Sequence, residues 1–103
     1  MRRRSLRVIW TAAAIADLNQ IRDYVRRDNP VAATKLIRSI RHSTRHINRF
    51  PFIGRAVPEL EDPTIREIIS GSYRVVYEVL ADRIQVLAVI HGRRDFPSVW
   101  KNR

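Results

Sequence analysis

Cysteine is absent from all 103 residues, which excludes a disulfide scaffold, thiolate metal sites and a cysteine nucleophile, and fits a reducing compartment. Glycine is scarce, at three residues, and none belongs to a Gly-rich phosphate loop or a nucleophile elbow. No apolar run approaches the ~18 residues needed to span a bilayer. The stretch after Met1-Arg2-Arg3-Arg4 is too short and too charged for a signal-peptide core. Internal repeats and low-complexity segments are also missing. These absences predict a cytoplasmic chain with no membrane partner. A domain takes roughly 100–200 residues, so residues 1–103 are expected to form one domain. The 45% of hydrophobic residues can supply its core.

Acidic residues are few as well: 10 Asp and Glu stand against 20 Lys and Arg, for a net charge of +10. All of the basic residues except Lys35 and Lys101 are arginine. Guanidinium is planar, never titrates in the physiological range, and binds carboxylate or phosphate in bidentate fashion. Two partner types follow, nucleic-acid phosphates or an acidic protein surface.

The pattern along the chain predicts an α+β fold. Leu6 to Trp10 reads as a short strand, and Thr11 as a cap for a helix that opens on three alanines. Ala14, Leu18, Ile21 and Val25 recur on one face of that helix, which should stop near Asp28 because Pro30 biases Asn29 away from helical angles. Asn29 and Pro30 suit the cap and first residue of a second helix. Its apolar stripe is Ala33, Leu36, Ile37, Ile40, Thr44 and Ile47, and Lys35, Arg38, Arg41, His42, Arg45 and Arg49 form a basic ridge outside it. The two helices should pack as an antiparallel hairpin.

Phe50 to Pro58 reads as a Pro/Gly-punctuated loop tucked down by its two phenylalanines. Glu59, Glu61 and Asp62 read as a solvated acidic loop, without the spacing of a calcium site. Three strands follow, from Ile65, from Tyr73 to Val79 and from Arg83 to His91, joined by tight turns. The last is apolar on both faces and is expected to be central. With the N-terminal strand, this antiparallel meander should make a small four-stranded sheet. The helices should cover one face, leaving Arg66, Arg74, Glu78 and His91 among aliphatic side chains on an open face.

The densest chemical cluster is the tail His91-Gly92-Arg93-Arg94-Asp95-Phe96-Pro97-Ser98-Val99-Trp100. Gly92 lets the chain turn off the strand end and aim Arg93 and Arg94 into the region of His91. With an RNA substrate, His91 would act on a 2′-hydroxyl or leaving oxygen while Arg66, Arg74 and Arg93 held the phosphate. The plainer alternative is that His91 closes the strand by hydrogen bonding and Arg94 pairs with Asp95 or Glu78; chemistry alone favours it. Tyr24, Tyr73 and Tyr77 read as half-buried packing residues. His42 and His46 have i, i+4 spacing, but the arginines around them disfavour a cation, so no metal site and no cofactor are expected.

The order of these elements resembles the RelE/ParE superfamily of type II toxins, over nearly the whole chain. The features that carry the resemblance are Ile9-Trp10-Thr11, Asn29-Pro30-Val31-Ala32-Ala33, Phe50-Pro51-Phe52-Ile53-Gly54-Arg55, Arg66-Glu67-Ile68, Tyr73-Arg74-Val75-Val76-Tyr77 and His91-Gly92-Arg93-Arg94-Asp95. The resemblance implies one of two activities. ParE-like members inhibit DNA gyrase and so replication; RelE-like members are ribosome-dependent mRNA endoribonucleases. The Asn29-Pro30 helix opening, the tail, and the lack of a tyrosine after His91 are similar to the ParE-like branch. A nuclease would use Arg66, Arg74, His91 and Arg93. A binding toxin would contact antitoxin or target through Arg66, Arg74, Glu78, His91, Arg93, Arg94, Phe96 and Trp100. The resemblance also implies a cognate ParD-like antitoxin with an acidic amphipathic segment, through which alone the complex would meet operator DNA.

Overall fold

The computed structural model describes residues 5–101. Strand β1 (Arg7–Trp10) leads into helix α1 (Ala12–Arg26), then helix α2 (Pro30–Ser43), a two-residue strand β2 (Arg55–Ala56), and strands β3 (Ile65–Ser70), β4 (Tyr73–Val79) and β5 (Arg83–His91); a short helix α3 (Phe96–Lys101) closes the described chain. Local chemistry sets the helix boundaries. The Thr11 hydroxyl accepts from Ala14 N (3.2 Å) and donates to Val86 O (2.8 Å), so the α1 cap also anchors the helix to β5. Asn29 Oδ1 accepts from Ala32 N (3.0 Å) with Pro30 in the first turn, as expected of this pair. Helix α1 ends two residues before Asp28, where Asp28 N and Asn29 N both donate to Val25 O.

The sheet runs β1-β5-β4-β3-β2, parallel between β1 and β5 and antiparallel elsewhere. The four expected strands are present, and β2 adds a fifth at the far edge. The hairpin α1–α2 covers one face: Ala14, Leu18, Ile40 and Ile47 pack on Val75, Tyr77, Ile84, Val86 and Val89. Ala14, Leu18 and Ile40 belong to the stripes that periodicity picks out, and their burial is what holds helices of this length. The second stripe and the basic ridge overrun the helix: α2 ends at Ser43, and Thr44, Arg45, Ile47 and Arg49 lie in the turns that follow.

Three expectations fail. The second sheet face is not open: Val76, Ala88, Ile90 and Ile65 are covered by Val57 and Leu60 of the loop and by Phe96, Val99 and Trp100 of α3. A sheet of six-to-nine-residue strands with apolar side chains on both faces needs cover on both. Phe50 and Phe52 do not tuck down, being 47% and 54% exposed; Val57, at 1%, fastens the loop. Finally, a β-bulge in β5 shifts the register so that Val76 faces Ala88 but Tyr77 faces Val86. Leu87 is the extra residue, and every side chain after it changes face. Ile84 and Val86 point to the helices, whereas Ala88 and Ile90 point to α3.

Candidate functional site

Cross-strand pairing fixes where each candidate residue stands, because directly opposed residues share a face. Arg66 pairs with Tyr77 and His91 with Tyr73, so both lie on the helix side of the sheet. Arg74 pairs with Ile69 and Ile90, and Glu78 with Ile65 and Gln85, on the α3 side. Arg66 and His91 are further separated by the four residues from Tyr73 to Tyr77, about 13 Å of strand. The expected single face bearing Arg66, Arg74, Glu78 and His91 is therefore corrected: the bulge at Leu87 carries His91 to the helix side, and pairing with Tyr77 puts Arg66 there too.

Arg74 is the centre of an ion network instead of an exposed phosphate ligand. Its guanidinium donates to both Glu59 oxygens (2.7 and 2.9 Å) and to Glu67 Oε1 (2.6 Å), and lies 4.3 Å from the Phe96 ring centroid. The Glu67 side chain is fully buried and also takes a bond from Arg55 Nε. Trp100 stacks on the other ring, 5.4 Å between Phe96 and Trp100 centroids at 15°. One buried acid held by two guanidiniums, with Arg74 closed off by aromatics, satisfies every charge the strands bury. Glu59 and Glu61 are exposed, as a solvated acidic loop predicts, but Glu59 also pairs with Arg74 and so clamps the segment before β3 to the sheet.

The network makes stability acid-sensitive. The Arg74 hydrogen bonds hold the Glu59 carboxyl below the ordinary glutamate range, against an opposing push from burial. The Asp62 carboxyl is also lowered, by the Thr64 hydroxyl and N–H. A depressed folded-state value means that the stabilisation is complete above the unfolded value, about 4.3 for glutamate, and is lost as pH falls through the folded one. Melting temperature should stay level from pH 7 to about 5 and then decline, and Glu59→Gln should make that decline shallower. Thermal melts at a series of pH values check this; identical slopes for the two chains refute it.

At the strand end, Arg55, Arg74, His91 and Arg93 surround an open hollow of about 340 Å³ beside the Gly71–Ser72 turn. Its chemistry is largely committed. His91 Nδ1 accepts from Arg93 N (3.0 Å), and the ring stands edge-on to Tyr73 at 5.2 Å. A neutral imidazole accepting at Nδ1 carries its proton on Nε2, so its free edge is a donor, not a general base. This is the strand-closing role that plain chemistry favours. Arg94 turns away, toward a second hollow of about 430 Å³ lined by Asp17, Gln20, Tyr24 and Tyr73. Neither Arg94 nor Glu78 forms an ion pair among the described residues, so the pairing of Arg94 with Asp95 or Glu78 is not found.

Two further assignments change. Arg66 donates to Pro63 O (2.8 Å) and Gly54 O (3.3 Å) and sits 4.8 Å from the Phe52 centroid, so it braces the β2 loop. Tyr77 is fully buried and Tyr24 is 71% exposed, leaving only Tyr73 half-buried. The Tyr77 hydroxyl donates to Pro51 O (2.7 Å) and accepts from Gly54 N (3.0 Å), and burial raises its pKa, which keeps it protonated as a donor. The residue that sequence reasoning missed is Glu67. Its signal is parity: it alternates in step with Ile65 and Ile69, an acid at an apolar position. Among the described residues no cluster of three or more His, Asp or Glu side chains is placed to hold a metal ion, and no helix is long and apolar enough to cross a membrane.

The overall fold is shared with chains of solved toxin–antitoxin structures. A chromosomal ParDE system from P. aeruginosa contains a chain that superposes with a TM-score of 0.71 at 26% identity, covering 84% of this chain and 96% of that one. A chain of the RelBE2 toxin–antitoxin complex from Mycobacterium tuberculosis shares the fold, with a TM-score of 0.57 at 18% identity over 84% and 98% of the two chains. The sequence is also 30% identical over 88 residues to Toxin RelE2 of Caulobacter vibrioides, covering 84% of this chain and 96% of that protein. These similarities define a type II toxin of the RelE/ParE superfamily. The family described as ParE toxin of type II toxin–antitoxin system, parDE, matches residues 8–96, and the chain belongs to it.

Proposed function

We propose that this toxin acts by binding, inhibiting DNA gyrase in the cytoplasm and so blocking replication, without chemistry of its own. The observation that carries this reading is the state of Arg74. A ribonuclease needs a guanidinium free to take up charge developing on the phosphate. Here the central arginine of the strand-end hollow gives three hydrogen bonds to the protein's own Glu59 and Glu67 and packs against Phe96. His91, its Nδ1 engaged with Arg93 N, lacks the free base that strand cleavage requires. Exposed Arg93 and Arg94 remain the cations that a partner can reach at this end.

The same reading makes residues 1–103 one toxin unit, neutralised by a cognate antitoxin. A chain of net charge +10 suits an acidic, amphipathic antitoxin segment, with operator reading left to the antitoxin. The similarity to Toxin RelE2 favours a second reading, a ribosome-dependent mRNA endoribonuclease. One preparation tests both. Added to purified gyrase, the protein should stop supercoiling, while message in a translation extract stays whole. Normal supercoiling at excess toxin refutes the gyrase reading. Codon-phased cleavage that disappears with His91→Ala would replace it with the nuclease.

A further inference from the structure

From Asn29 to Pro58 the sequence contains no aspartate or glutamate but six Lys or Arg residues. Arg55 is spent on Glu67. Lys35, Arg38, Arg41, Arg45 and Arg49 are all exposed, and none joins an ion pair among the described residues. At 100° per residue, Lys35 and Arg38 lie almost opposite the buried stripe of Ala33, Leu36, Ile37 and Ile40, and Arg41 lies on its flank about 90° away, so the hairpin's packing leaves all three at the surface. Lys35 to His42 covers about 10 Å of helix axis, and the turns after Ser43 continue the ridge through Arg45 and Arg49. Arg41 lies 5.3 Å from the Trp10 ring centroid, which steadies its guanidinium without cancelling its charge.

The chemistry between the cations decides the partner. Protein interfaces are anchored by large apolar side chains seated in pockets. Single-stranded nucleic acid is held by stacking on aromatics. Between Lys35 and Arg49 no exposed side chain is Phe, Tyr, Trp or Leu; Ser39 and the two histidines are what separates the cations. Hydroxyls beside guanidiniums are phosphate-backbone ligands, which set position without reading sequence. We propose that this ridge binds duplex DNA through its phosphates, without base specificity. The proposal stands apart from gyrase inhibition, since it concerns naked DNA, and it leaves operator recognition to the antitoxin.

Fluorescence anisotropy with a labelled, random-sequence 20-base-pair duplex tests it between 50 and 200 mM NaCl. About four phosphate contacts give a slope near −3.6 for log affinity against log salt, a loss of roughly a hundredfold over that range. Replacing Arg38 and Arg45 together by alanine should bring the slope to about −2 while the melting temperature is unchanged. Four results would each overturn the proposal: no binding at 50 mM salt; a slope indifferent to Arg38 and Arg45 but reduced when Arg2, Arg3 and Arg4 are replaced by alanine; tighter binding of the single-stranded 20-mer; or poly-glutamate displacing the duplex at equal charge, which would identify an acidic polypeptide as the partner.

Discussion

An Arg74→Met chain is expected to lose about 3–5 kcal/mol of stability, the usual cost of removing one partner from a buried ion pair. The Glu67 side chain is 0% exposed and would be left with Arg55, whose side chain is 61% exposed and screened by solvent. Glu59 would at the same time lose both of its guanidinium bonds, releasing the segment between β2 and β3. In a domain of this size each kcal/mol moves the melting point by about 4–8 °C, so the transition should fall by at least about 12 °C. The double variant Arg74→Met with Glu67→Met should regain much of the loss, because it removes both desolvated charges and refills their volume with apolar atoms. Thermal and urea unfolding measure all three chains. A single variant that melts within about 2 °C of the parent would show that the network does not hold β3, β4 and the Glu59 segment together. The experiment also bears on function. At a temperature where Arg74→Met is folded, the proposed gyrase inhibition should be the same as for the parent, since the guanidinium is bound to the protein's own carboxylates and is not a principal target contact.

The helical half of the molecule was legible in the sequence because its determinants are local. Thr11 and Asn29 are caps whose partners lie three residues on, and the stripes from Ala14 to Val25 and from Ala33 to Ile40 each repeat within one helix. The strands were legible individually, but their faces were not. Ile84 to Ile90 is apolar at almost every position, so no polar residue marks the point where Leu87 drops out of register. By period two Gln85 and His91 would share a face, and the bulge between them puts them on opposite ones. Helix α3, at six residues, is too short to show a helical period, and its Phe96 and Trp100 read as binding aromatics while they in fact close the second core. Arg74 misled for a related reason. A charge in a strand is ordinarily solvated, and its partners lie on a neighbouring strand seven residues back and in a loop fifteen back, pairs that only the folded chain brings together.

Gly54→Ala is the substitution that should strike the same network from its other end. A Cβ at Gly54 would stand 2.5 Å from Glu67 O and 2.7 Å from the Tyr77 hydroxyl, the first a backbone atom of β3 that cannot yield alone. Overfilling a packed position of this kind costs about 1–3 kcal/mol. The damage should spread because Gly54 N also donates to that hydroxyl, and the next residue, Arg55, is the one that reaches Glu67. Tyr77→Phe is the informative companion. Alone it leaves Gly54 N–H and Pro51 C=O without their partner, at about 1–3 kcal/mol. Combined with Gly54→Ala it removes one of the two close contacts, so the double variant should lose less than the sum of the singles, while the Glu67 carbonyl keeps it below the parent. Additive losses would mean that the alanine methyl finds another path past the phenol. A Gly54→Ala chain within about 0.5 kcal/mol of the parent, the range of an ordinary surface change, would mean that β2 moves off β3 freely and that Arg55 is not needed to balance Glu67.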